Sequence, residues 1–98
     1  MTTDIRHDTW AGGGRYVLLL DGEEIGELDH VDDGPGRRAL VHTGVRPAFE
    51  GRGLAAQLVR RALDDARADA VLVVPSCWYA ARYLDRHPDD ADLRAPGT

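Results

Sequence analysis

At 98 residues the chain has room for one hydrophobic core, which excludes a second sizeable domain. Its 43% hydrophobic and 30% charged residues exclude wholesale disorder and a collagen-like repeat. Seventeen acidic residues against twelve basic ones, all arginine, give a formal net charge of −5. That balance argues against a general nucleic-acid binder, and the missing lysine removes Schiff-base and phosphate-loop-lysine chemistry.

The longest apolar runs, residues 16–20 and 70–75, fall far short of the ~20 residues that span a bilayer. The first eight residues carry acids and no apolar stretch, so no secretory leader and no membrane partner is expected. Cys77 is the single cysteine; no internal disulfide and no metal cluster follows from it. The chain reads as soluble and cytoplasmic.

Residues 3–10 are mixed and suit an edge strand, which residues 11–14 (Ala-Gly-Gly-Gly) are expected to break, since glycine loses the most backbone entropy on ordering. Residues 15–20 read as a strand, Asp21-Gly22 as a hairpin turn and residues 24–30 as its return. Ile25 and Leu28 break strict alternation in the return, which leaves its register open. Residues 32–36 form a second turn. Residues 38–45 alternate Ala39, Val41, Thr43 and Val45 against Leu40, His42 and Gly44, completing an antiparallel meander.

The period then changes. Leu54, Ala55, Leu58, Val59, Ala62, Leu63 and Ala66 form the stripe of an amphipathic helix over residues 53–68. Arg60–Asp64 and Arg61–Asp65 are spaced for surface ion pairs of ~0.3–0.5 kcal/mol each. Residues 71–74 are continuously apolar and β-branched, as in a strand buried on both faces. Residues 77–86 suit a second helix, stopped by His87-Pro88. The domain is thus residues 1–88, with residues 89–98 an acidic, flexible tail. The order is β-β-β-β-α-β-α, a mixed α/β fold.

Val45 to Ala55 is the most informative stretch, because it joins a strand to a helix with Gly51 and Gly53 at the helix start. Glycine lets an anion approach the backbone, where the first-turn amides lack partners and the helix dipole favours negative charge. Arg52 adds a positive charge suited to phosphate. The same glycines equally suit a tight turn with no ligand, and the residues alone leave both readings open. The dinucleotide fingerprint needs a third glycine and a downstream acid, and a phosphate-loop motif needs Gly-Lys-Ser/Thr; neither is present.

This loop, the helix after it, the strand 71–74 and the phrase Val74-Pro75-Ser76-Cys77 leading to Tyr83-Leu84-Asp85-Arg86-His87-Pro88 together resemble the GNAT superfamily of acetyl-CoA-dependent N-acetyltransferases. The resemblance is narrower still to its minimal single-domain subgroup, and it runs from Tyr16 to Pro88. It implies an acyl-CoA N-acyltransferase core with a splayed parallel strand pair. Acetyl-CoA, the implied cosubstrate, would lie in the splay, its pantetheine pairing with Thr43, Gly44 and Val45. The superfamily's pyrophosphate loop, (Gln/Arg)-x-x-Gly-x-(Gly/Ala), maps onto Glu50, Gly51, Arg52, Gly53, Leu54 and Ala55, with a departure at Glu50.

The subgroup carries a cysteine where Cys77 stands and a histidine where His42 stands, and these are the implied catalytic pair. A cysteine at a helix start has a lowered pKa and serves as covalent acceptor, as proton donor, or merely as a small buried side chain. Neutral imidazole at His42 suits deprotonating an amine. Tyr79 and Tyr83 are alternative acids, and Trp78 either walls the thioester channel or fills the core. His7 and His30 are expected to be solvated, and His87 to cap a helix. The implied activity is acetyl transfer to an unidentified amine by a monomer or weak homodimer. The rival is a non-catalytic acetyl-CoA-binding module.

Overall fold

The computed structural model describes residues 2–98. Four antiparallel strands, β1 (Thr3–Trp10), β2 (Gly13–Leu20), β3 (Glu23–Asp32) and β4 (Arg37–Val45), lead through a 3-10 turn (Pro47–Phe49) into helix α1 (Leu54–Ala68). Strand β5 (Leu72–Pro75), helix α2 (Trp78–Arg86) and a second 3-10 segment (Pro88–Leu93) complete the chain. The sheet order is β1-β2-β3-β4-β5, with only β4 and β5 parallel. The element order expected from sequence is the one found.

The α1 stripe buries Leu54, Leu58, Val59, Ala62, Leu63 and Ala66 against Tyr16, Leu18, Leu20, Ile25, Leu28 and Leu40 of the sheet. Each buried Leu or Ile adds ~1.5–3 kcal/mol, far more than the surface pairs on the helix. From α2, Ala80 and Leu84 join the same cluster. Arg15, Asp29 and Glu27 lie on the other sheet face, since their neighbours Tyr16 and Leu28 point into the core.

Two bulges set the parity of the central strands. One lies at Ile25, where pairing jumps from Leu18↔Gly26 to Leu19↔Glu24. The extra residue lets Ile25 and Leu28, three apart, both reach the core. The other lies at Val41, where His30↔Leu40 is followed by Asp29↔His42. Beyond it Thr43 shares the core-side face with Leu40, and His42 shares the opposite face with Asp29. The uninterrupted alternation expected over residues 38–45 is therefore corrected.

Gly13 and Gly14 do not break the sheet but belong to β2. A methyl on Gly14 would lie 2.6 Å from His30 Nε2 and 2.8 Å from the Asp8 carbonyl, so glycine is required by close approach. Over this gap His7 and His30 meet, their Nε2 atoms 2.9 Å apart, and His7 stacks on Tyr16 at 3.9 Å. The expectation that both histidines are solvated is overturned: His30 is buried and His7 half-buried. Burial pushes both imidazoles below their ordinary value, with Arg38 and the partner histidine reinforcing the shift at His30. The unfolded chain therefore takes up protons first as pH falls. Stability should be intact above about pH 6.5 and decline below it, by up to about 1.4 kcal/mol per pH unit per proton. Urea titrations at pH 7.5 and 5 check this, and His7→Asn should flatten the slope.

Residues 89–98 are not a loose tail. Leu93 and Ala95 are buried, Ala95 N–H donates to the Val73 carbonyl at 2.8 Å, and Arg94 bridges to Val73 along the outer edge of β5. Buried Asp90 accepts two hydrogen bonds from Arg60, at 2.6 and 3.1 Å, and one from Arg67 at 3.3 Å. Asp90 and Asp92, two of the acids that suggested a solvated tail, are the partners of arginines on α1. Leu72 is exposed, so β5 is not covered on both faces as its composition implied. Asp90→Ala leaves Arg60 without its main counter-charge and should cost about 2 kcal/mol. A scanning calorimetry midpoint about 10 °C lower would register it.

Candidate active site

The parallel pairing of β4 and β5 lasts four residues, from Arg37↔Leu72 to Leu40↔Pro75. The amide of Cys77 closes it by donating to the Leu40 carbonyl at 2.8 Å. Pro75 and the turn into α2 then carry the chain away from β4. Residues 41–45 of β4 continue with no β5 partner among the described residues. One edge of a central strand is thereby left open.

Beside this edge lies a cleft of about 530 Å³ lined by Thr43, Gly44, Val45, Phe49, Glu50, Gly51, Gly53, Leu54, Ala55, Trp78 and Tyr79. Gly51 and Gly53 take left-handed conformations, with φ of 78° and 73°, and no atom approaches within 4 Å of a methyl built on either. Their requirement is conformational, since L side chains avoid that region. Gly53 caps α1 without a side-chain hydrogen bond. Among the described residues, no N–H group of residues 51–56 donates to another protein atom. The cleft therefore ends on a row of unpaired donors at the positive end of a fifteen-residue helix.

Residues 15–93 match the sequence profile of the GCN5-related N-acetyl-transferase family. The chain belongs to this family. A curated relative, Protein NATD1 of Xenopus tropicalis, is 37% identical over 49 residues, which is 50% of this chain and 45% of that one. The chain thus matches about half the length of such relatives. Among solved structures, a GCN5-like protein from Staphylococcus aureus superposes with a TM-score of 0.70 at 16% identity, over 92% of this chain and 87% of that one. A GNAT family acetyltransferase from Elizabethkingia anophelis with acetyl-CoA bound gives 0.68 at 14% identity, over 86% and 72%. At these identities the likeness is one of fold.

Within this acetyltransferase fold, the residues expected to hold coenzyme surround one cleft, with one exception. Arg52 is exposed and its guanidinium lies 5.5 Å from the Phe49 ring centroid, at the loop rather than in the wall. Glu50 lines the cleft.

Cys77 and His42 do not share a surface. Cys77 is buried at the N-cap of α2, and its thiol donates to Thr43 Oγ1 at 3.6 Å. It stands behind the wall that Thr43, Trp78 and Tyr79 present to the cleft. Burial opposes ionisation of this thiol, but the backbone of Ala80, the Thr43 hydroxyl and the backbone of Tyr79 together outweigh it and hold the pKa below its ordinary value. Trp78 is 73% exposed, so it is cleft wall and not core. Tyr79 lines the cleft with a phenol that burial pushes up, keeping it protonated at neutral pH. Tyr83 does not reach the cleft; it packs against the core and stacks on His87 at 3.8 Å.

His42 sits across the strand. It lines a second cavity of about 400 Å³ with Arg15, Glu24, Glu27 and Arg46. A methyl on Gly44 would lie 3.1 Å from Glu27 Oε2 and 3.2 Å from His42 Nε2, so a carboxylate and an imidazole converge over a glycine. Gly44 and Val45 line both cavities. The two spaces meet at the end of β4. Glu27 and Phe49 were not singled out from sequence. Glu27 faces away from Leu28 in a strand whose parity a bulge conceals, and Phe49 looked like an ordinary loop residue. Among the described residues no group of three metal-ligating side chains occurs.

Proposed function

We propose that the protein transfers the acetyl group of acetyl-CoA to an amine that arrives across the uncovered sheet face. The observation that carries this reading is the row of unpaired amides at residues 51–56 beside the open edge of β4. Donors without partners at a helix start suit a diphosphate, and an open strand edge suits the amides of a pantetheine arm. Thr43, Gly44 and Val45 would pair with that arm, and Gly51, Gly53, Leu54 and Ala55 would cradle the diphosphate. The acceptor enters the second cavity, where Glu27 attracts its cationic form and His42 takes its proton. The neutral amine attacks the thioester carbonyl, the C–N bond forms and the C–S bond breaks. The departing thiolate takes a proton from Cys77 through the Thr43 hydroxyl, and the surplus proton on the new amide nitrogen passes to solvent, from which Cys77 is reprotonated.

Glu50 favours a second reading, a non-catalytic acetyl-CoA-binding module, because it brings a carboxylate to the cleft that would hold the diphosphate. A ligand that binds only the folded state at about a hundredfold its Kd adds about 2.7 kcal/mol. Acetyl-CoA should therefore raise the melting midpoint by about 10 °C. Thiol release in the presence of a panel of polyamines, amino sugars and peptide N-termini then separates the readings. No shift with millimolar acetyl-CoA overturns both, and a shift with no acetylated amine by mass spectrometry favours the module.

A further inference from the structure

The arginines are not evenly used. Among the described residues, Arg6, Arg15, Arg37, Arg38, Arg46, Arg60, Arg61, Arg67 and Arg94 each lie within 4.0 Å of a carboxylate. Arg52, Arg82 and Arg86 do not. In a chain of net charge −5, acids are plentiful enough to neutralise every arginine, so the location of the three exceptions is informative. Arg52 belongs to the loop before α1. Arg82 and Arg86 line a groove of about 300 Å³ between α1 and α2, together with Ala56, Tyr79, Tyr83 and His87.

The groove is built by the periodicity of α2. Tyr79, Tyr83 and His87 follow one another at four-residue spacing and form an aromatic strip. Arg82 and Arg86, also four apart, run beside it as a like-charged pair that repels in the absence of a counter-ion. Tyr83 and His87 are stacked with their planes 10° apart, and His87 Nδ1 donates to the Tyr83 carbonyl at 2.6 Å, fixing the ring. The acids that the two flanking helices bring nearest in sequence are engaged elsewhere, Asp85 with Arg94 at 2.8 Å and Asp64 with Arg60 at 2.9 Å. Exposed Asp89 lies within 4.0 Å of no arginine among the described residues. Tyr79 lines both the groove and the cleft. Ala56, the last residue of the unpaired amide row, lines the groove as well, so the two spaces adjoin where the diphosphate would sit.

We propose that this groove is a phosphomonoester subsite, and that Arg82 and Arg86 bind the 3′-phosphate of the ribose of coenzyme A. The proposal rests on the coenzyme reading above. A phosphomonoester is close to dianionic at pH 7, and two guanidiniums match it in charge and in forked donor geometry. Arg52, on the loop before α1 and outside the cleft wall, adds positive charge beside a group that all forms of the coenzyme share. Arg82 and Arg86 meet the group that distinguishes coenzyme A from dephospho-coenzyme A.

Isothermal titration of the full chain with coenzyme A and with dephospho-coenzyme A, at one ionic strength, tests this. Coenzyme A should bind at least tenfold more tightly. In Arg82→Ala/Arg86→Ala, whose side chains are exposed, that preference should vanish through weaker binding of coenzyme A alone, while Arg52→Ala should weaken both ligands by a similar factor. Equal binding of the two ligands by the unmodified protein overturns the subsite and leaves the coenzyme reading standing. An equal loss for both ligands in the double variant also overturns the subsite, since it reports a general field instead of a contact. Binding of neither ligand by the unmodified protein removes the coenzyme reading itself.

Discussion

Replacing Cys77 with alanine should lower the rate of acetyl transfer by about 100-fold, the low end for loss of a positioned proton donor, while acetyl-CoA affinity changes little. The expectation follows from position. The thiol is buried behind the cleft wall and reaches the cleft through the Thr43 hydroxyl at 3.6 Å. Thr43→Val should therefore lose a similar factor, and the double variant should be no worse than either single one, as expected of groups acting in series. The pH profile supplies a signature that packing would not. The donor must hold its proton, and hydrogen bonds from the Ala80 and Tyr79 backbone and from Thr43 outweigh burial to lower its pKa. Turnover should fall as pH rises through a value below that of an ordinary thiol, and this alkaline limb should disappear in Cys77→Ala. Steady-state kinetics from pH 6 to 10 would check it; an unchanged profile in the alanine variant would remove Cys77 from the proton path.

Gly53→Val should weaken acetyl-CoA binding by about 100-fold, as read by titration calorimetry. A β-branched residue at φ 73° carries strain of ~1–3 kcal/mol, which the loop relieves by reorienting the unpaired N–H groups that face the ligand. Nothing lies within 4 Å of a side chain built there, so the core is untouched and the unliganded fold should survive. A variant with native affinity would show that the amide row does not grip the diphosphate.

The features legible in sequence are those written locally. The period of two in the meander, the stripe of α1 and the paired glycines of the loop each depend on residues within a few positions of one another. What was hidden depends on pairing across the sheet or on contacts between distant segments. The bulges at Ile25 and Val41 have no composition of their own; they exist because β3 must register against β2 and β4. Without the second, His42 and Thr43 could not be assigned to their faces, and so Cys77 and His42 looked like partners. The acidic C-terminal residues looked solvated because Asp90 is thirty positions from Arg60, the arginine that buries it. Two of the three unpaired arginines went unremarked for the same reason, since only the folded chain shows which charges are already satisfied.

The extra residue at Val41 turns the end of β4 into a partition with a different chemistry on each side. One room holds a hydroxyl backed by a thiol, the other an imidazole beside a carboxylate, and Gly44 is the doorway between them. Pairing Val41 in register with Asp29 would set His42 opposite Leu28 and Thr43 opposite Glu27, exchanging the occupants of the two rooms with no change in the chain's make-up. Groups of unlike chemistry are thus kept apart by counting, through one residue that lines neither space.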